Sequence, residues 1–180
     1  MSLKWSRESR PRWDSGKQRI IGGAPEGALN VDYSEDAELP GDWFAATDGD
    51  RIVGYGWMDS TWGGDTEILL AVDPDSQGKG IGSFVMDRLE QEAANRGVNY
   101  VYNTVRDSHP DRDAVHDWLM IRGYRGNERD ASLRKQVAVG DAVAPELASA
   151  DTSSPAQPQG AFPPGREDSG GYVNIEQHQY

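Results

Sequence analysis

A chain of 180 residues with 36% hydrophobic residues and six tryptophans is long enough to close one core and too short to promise two. Its 30 acidic and 18 basic residues give a formal net charge of -12, which repels phosphate backbones and argues against nucleic acid as a partner. The absence of cysteine excludes disulfides, thiolate metal sites and a cysteine nucleophile, and His109, His116 and His178 are too scattered to suggest a metal site, so no metal is expected.

The mean hydropathy of -0.74 is low for a fully packed chain and implies that part of it stays outside the core. The segment Met1-Ser2-Leu3-Lys4-Trp5 lacks the apolar stretch of a signal peptide, and no segment approaches the roughly 18 apolar residues of a membrane span. A cytoplasmic protein with no membrane partner is the expectation. Lys4, Arg7, Arg10, Arg12, Lys17 and Arg19, interleaved with Trp5 and Trp13, read as a solvated basic run.

Residues 12–21 suit a short helix with Ile20 and Ile21 at its buried end and Gly22-Gly23 as its stop. Residues 43–46 and 52–57 flank Asp48-Gly49-Asp50-Arg51, whose Asp-Gly pair predicts a tight hairpin between two antiparallel strands. Residues 67–72 form an apolar run closed by Asp73-Pro74, as expected of a central strand covered on both faces. A glycine-rich turn follows, then a helix on which Ile81, Val85, Leu89 and Ala93 recur at four-residue spacing before Gly97. Residues 98–105 form a second central strand candidate, 111–122 an amphipathic helix ended by Gly123, and 132–137 a final edge strand.

The turn Gln77-Gly78-Lys79-Gly80-Ile81-Gly82 carries the chemistry. A diphosphate needs several backbone N–H donors converging on it with no side chain in the way, and a helix N-terminus supplies the donors and a favourable dipole. Glycine permits the close approach, while Lys79 can add charge and Ser83 a hydroxyl. A nucleotide P-loop fails on spacing, because Lys79 is followed by Gly80 and not by Ser or Thr. A dinucleotide fingerprint would need glycine at position 83, where Ser83 stands.

What remains is Gln-x-x-Gly-x-Gly, carried by Gln77, Gly80 and Gly82 between an apolar strand and an amphipathic helix. In this it resembles the GCN5-related N-acetyltransferase (GNAT) family over roughly residues 43–137. The resemblance implies an α/β fold: one acyl-CoA N-acyltransferase domain with a mixed, mostly antiparallel sheet flanked by helices. It further implies acetyl-CoA as co-substrate, bound by Leu70, Ala71 and Val72 of the splayed central strand and by Gln77, Gly78, Lys79, Gly80, Ile81, Gly82 and Ser83 of the turn. Asn103 on the neighbouring strand could bond the pantetheine amide or form an interstrand polar pair. The acetyl group would pass directly to an amine of a small molecule or polypeptide, in keeping with the missing cysteine, and the acidic composition favours a cationic acceptor.

An alkylammonium must lose a proton before it attacks, so a general base is required. Glu67 stands where protein-lysine acetylating members of such a family keep a glutamate, although Asp59 and Asp65 could also serve. Many members protonate the leaving thiolate with a tyrosine four positions before a Gly-Phe or Gly-Tyr pair. The pair here is Gly123-Tyr124, position 119 is Leu119, and the asparagine usual near the start of that helix is replaced by Arg112 or a neighbour. Tyr124 is assigned as the catalytic acid, with Tyr102, His116 or water as alternatives. A regulatory acyl-CoA-binding module acting through its C-terminal tail is a second reading of the same residues.

The domain itself spans residues 1–138. Residues 139–169 are rich in Ala, Ser, Pro, Gly and acidic residues and read as a disordered linker. Residues 170–180 regain aromatic and β-branched side chains after Gly170-Gly171, as a strand or a docking peptide for a protein partner would. Residues 5–42 are expected to shape the acceptor pocket, and Trp57 and Trp62 to be core.

Overall fold

Six strands form one sheet whose spatial order follows the chain: β1 (Leu3–Arg7), β2 (Asp42–Asp48), β3 (Arg51–Ser60), β4 (Asp65–Val72), β5 (Tyr100–Thr104) and β6 (Ser132–Gln136). The computed structural model describes residues 1–61, 63–126 and 131–137; Trp62, the expected linker and the expected C-terminal peptide lie outside them. All neighbouring strands are antiparallel except β4 and β5, which run parallel. The mixed, mostly antiparallel sheet flanked by helices is therefore present as expected.

The Gly49-Asp50 turn joins β2 and β3, with Gly49 at φ 61°, the left-handed region a tight two-residue loop demands. β1 was not expected from the sequence. It pairs with β2 from Leu3 opposite Asp48 to Arg7 opposite Phe44, and stacks Trp5 on Phe44 with ring centroids 5.0 Å apart. Part of the basic run is thus an edge strand that turns Lys4 and Arg7 outward.

Helix α2 (Ile81–Asn95) covers one face of the sheet, where Ile81, Val85, Met86, Leu89 and Ala93 are buried. Full burial of such side chains is worth about 1.5–3 kcal/mol for each of the larger ones. Close approach of this helix depends on Gly56 of β3, since a Cβ there would lie 2.9 Å from both Leu89 and Val85. Helix α3 (Arg112–Ile121) adds Leu119 to the same core, and Tyr124 beyond it is fully buried there.

The opposite face is covered by α1 (Ser15–Ile20), capped by the Asp14 side chain, and by the loop that follows it; Trp13, Ile20, Ile21, Leu39, Trp43, Tyr55 and Ala71 form this second core. At its centre Lys17 is fully buried, with its ammonium 2.8 Å from Glu8 Oε2, 3.3 Å from Asp14 Oδ2 and over the rings of Tyr55 and Trp43. The two carboxylates and two π faces replace the water that a buried ammonium loses. Arg19 of α1 reaches across to Asp73 at 2.5 Å, and Arg51 of β3 reaches the same oxygen at 2.7 Å. Asp73 is itself buried. Burial alone would raise its pKa, but the hydrogen bonds from Arg19 and Arg51 prevail and hold it below the usual carboxylate range.

Candidate functional site

The site begins where the parallel pair comes apart. β4 pairs with β3 along its whole length to Val72, but with β5 only from Asp65 opposite Tyr100 to Glu67 opposite Tyr102. Asn103 closes the apex of this fork by donating from Nδ2 to the Ile68 carbonyl at 2.7 Å. It is therefore an interstrand polar pair, and it also lines the cleft. Beyond the apex, Leu69, Leu70, Ala71 and Val72 form one wall of a cleft of about 440 Å³, opposite Asn103, Thr104 and Val105.

The cleft ends at the glycine turn. Asp73 starts a short 3₁₀ turn (Pro74–Ser76), after which Gly78 and Gly80 take φ of 74° and 78°. Gly80 is the N-cap of α2 and offers no side-chain cap, so the N–H groups of the helix's first turn are left for a ligand. A Cβ at Gly78 or Gly80 would meet nothing within 4 Å, and one at Gly82 would meet only the Val72 and Leu70 side chains, at 3.6 and 4.0 Å. The open space and the unpaired donors together fit a diphosphate. Gln77, Gly78, Gly80, Ile81, Gly82 and Ser83 all line the cleft, whereas Lys79 is exposed and does not.

A second cavity, about 240 Å³, opens on the α1 side of the fork. It shares Ala28, Leu29, Leu69 and Thr104 with the first. Glu67 lies in its wall with Trp43, Trp57, Tyr33 and Arg106. Trp43 and Trp57 stack at 4.6 Å with an interplanar angle of 8°. Trp57 is half-buried: it packs against the second core, as expected, and also lines this cavity. From the segment before β2, residues 28–31 and Tyr33 line this cavity. Its lip is held to the β5–α3 loop by Ser108, whose hydroxyl donates to the Gly27 carbonyl at 2.7 Å. A Cβ at Gly27 would lie 2.2 Å from the Ser108 carbonyl, so the two lips meet only because that residue is glycine.

The Glu67 side chain forms no hydrogen bond or ion pair among the described residues, which leaves its carboxylate for a ligand. Of the alternatives, Asp65 is paired with Arg134, and Asp59 is exposed; neither lines either cavity. The assignment of Tyr124 as the acid does not hold. Its hydroxyl is fully buried beneath α3, donates to Glu90 at 3.1 Å and lines no part of the cleft. Burial, followed by the negative charge of Glu90, pushes its pKa far above the ordinary tyrosine value. Tyr102 and His116 also line neither cavity. Burial and then the charge of Glu67 raise the pKa of Tyr102 as well.

The sequence reading missed His109, which lines the first cleft. Its Nδ1 accepts the Asp111 backbone N–H at 3.0 Å, which places the proton of the neutral ring on Nε2. The only sequence signal was its position between the second central strand and the last helix.

Among the described residues, no three His, Asp or Glu side chains are grouped to hold a metal ion, and no helix is long and apolar enough to cross a membrane. Comparison with curated proteins gives no match. Among solved structures, a Lactobacillus plantarum protein classed among the N-acetyltransferases superposes with a TM-score of 0.57 at 13% identity, covering 77% of this chain and 100% of that one. The ribosomal-protein-S18-alanine N-acetyltransferase of Escherichia coli gives 0.47 at 15% identity, over 79% of this chain and 99% of its own. A phosphinothricin acetyltransferase from Sinorhizobium meliloti, solved with acetyl-CoA, gives 0.44 at 19% identity, over 59% and 66%. The family model described as acetyltransferase (GNAT) family matches residues 6–124, more than half of the chain, and takes in the fork, the glycine turn and both cavities. By that match and by its fold, the chain belongs to the GNAT acetyltransferase family.

Proposed function

We propose that the protein transfers an acetyl group from acetyl-CoA directly to an amine held in the second cavity. The observation that carries this reading is the fork between β4 and β5, which runs from an open glycine cradle at one end to the unpaired carboxylate of Glu67 at the other. The first turn of α2 would receive the diphosphate of acetyl-CoA, and the β4 edge from Leu69 to Val72 its pantetheine arm. Acetyl-CoA supplies an activated thioester, so the chain needs no nucleophile of its own.

Glu67 removes a proton from the acceptor ammonium and frees the lone pair that attacks the thioester carbonyl. The nitrogen of the tetrahedral intermediate then gives its second proton to solvent, and as the intermediate collapses the carbon–sulfur bond breaks and the thiolate takes a proton. His109 is our candidate donor, because it lines the cleft and carries its proton on Nε2. The amide and free CoA are the products.

Calorimetry with acetyl-CoA, followed by thiol release across an amine panel, tests the reading. Acetyl-CoA binding at micromolar concentration is expected, with amine-dependent thiol release. Glu67→Gln should leave acetyl-CoA binding within about twofold and lower kcat by about 10²–10³. No binding at millimolar acetyl-CoA, or full activity in Glu67→Gln, overturns it.

A further inference from the structure

Glu67 is not the only uncommitted charge in the second cavity. Arg106, near the start of the β5–α3 loop, lines the same cavity, and its side chain forms no hydrogen bond, ion pair or ring contact among the described residues. The other arginines bordering this region are engaged: Arg19 and Arg51 with Asp73, and Arg112 with Asp107. Arg106 does not line the first cleft, so it is not placed for the diphosphate.

Besides Glu67 and Arg106, the lining is mostly apolar and aromatic, with Leu29, Val31, Tyr33, Trp43 and Trp57 among it, and its uncharged polar members include Asn30 and Thr104. An acceptor matching this lining has three parts: an amine for Glu67, a compact apolar body for the rings, and an acidic group for Arg106. A guanidinium offers a planar fork of donors that pairs with both oxygens of a carboxylate, whereas a neutral amide offers one uncharged acceptor and an unfunctionalised amine none. In a chain with a formal charge of -12, an anionic acceptor needs such a local cation to enter. From this lining we infer that the acceptor is a small zwitterion, an amino acid with an apolar side chain, whose carboxylate is held by Arg106 while its amine faces Glu67. The inference specifies the acceptor of the acyl-transfer reading and rests on that reading for the amine's fate, but not for the recognition of the carboxylate. It also narrows the general expectation of a cationic acceptor, because the cavity offers one charge of each sign, Glu67 and Arg106.

The test is calorimetry with L-methionine, L-phenylalanine and L-tryptophan, each beside its amide, using the full chain with and without saturating CoA. At least one amino acid should bind about tenfold or more tightly than its amide. Arg106→Gln should remove that gap by weakening the amino acid while leaving the amide unchanged. Arg106 is exposed, so this variant is expected to fold, and retained CoA affinity checks that it does. Equal binding of acid and amide, no binding of either, or a gap that survives Arg106→Gln each overturns the inference. Loss of CoA binding by the wild-type chain instead sinks the acyl-transfer reading, while the titrations without CoA still report on the Arg106 site.

Discussion

A side chain that gives up a proton during turnover must reach the reacting atoms and must be able to recover the proton afterwards. Tyr124 meets neither condition, since its hydroxyl is enclosed by Met86 and Glu90 and its ionisation is opposed by burial. His109 meets the first by lining the cleft, and its exchangeable proton sits on Nε2 because Nδ1 accepts the Asp111 N–H. His109→Gln should therefore lower kcat by about a hundredfold with little change in KM for acetyl-CoA, measured by thiol release at saturating amine. Tyr124→Phe should leave kcat unchanged and cost about 1 kcal/mol of stability through the lost hydrogen bond. The reverse pattern would restore Tyr124 as the acid. The misassignment has a local cause. Gly123 ends α3 with φ 96°, and Tyr124 donates its backbone N–H to Leu119, which turns the ring under the helix and away from the fork.

At the level of elements, the proposed reading places the diphosphate at the junction of β4 and α2. Gly82 has ordinary space for a Cβ, so Gly82→Val should fold with a melting temperature within about 3 °C of wild type. The added methyl groups would fill the cradle and weaken acetyl-CoA by about a hundredfold or more, as read by calorimetry. A variant that binds normally would show that the diphosphate lies elsewhere. This junction was legible in the sequence because its signals are local: a run of apolar residues, glycines at alternate positions, then a four-residue apolar period. The hairpin and β6 were legible for similar reasons. β1 was not, because an edge strand of five residues buries only a few side chains and Lys4 and Arg7 mask its alternation. The second cavity was illegible for a different reason. Tyr33, Trp57, Glu67 and Arg106 come from four separate parts of the chain, and only the sheet register brings them together.

For the molecule as a whole, two carboxylates tie together elements distant in sequence. Asp73 joins α1 to β3 through Arg19 and Arg51, and Asp42 joins β1 to the end of α2 through Arg7 and Arg96. In Asp42, as in Asp73, burial opposes the charge, but the arginines prevail and lower the pKa. A pKa lower in the folded chain than in the unfolded one means stabilisation that is fully present above the unfolded value, near 4, and is lost as the pH falls through the folded value. Asp73→Asn should thus cost about 1–2 kcal/mol at pH 7, the half-exposed arginines limiting the effect. The deficit should shrink as the pH falls below about 4, as followed by urea unfolding at several pH values. A deficit independent of pH would assign the loss to packing instead of charge.

The partition between the two cavities has a further consequence. Ala28, Leu29, Leu69 and Thr104 border both spaces, so the same four side chains settle against whatever occupies either one. A ligand that orders this wall spends free energy that the second ligand is then spared, and such a saving is reciprocal: each ligand strengthens the other by the same factor. On the proposed reading the fork would couple donor to acceptor, and titrating the acceptor with and without CoA should then show the tighter binding when CoA is present.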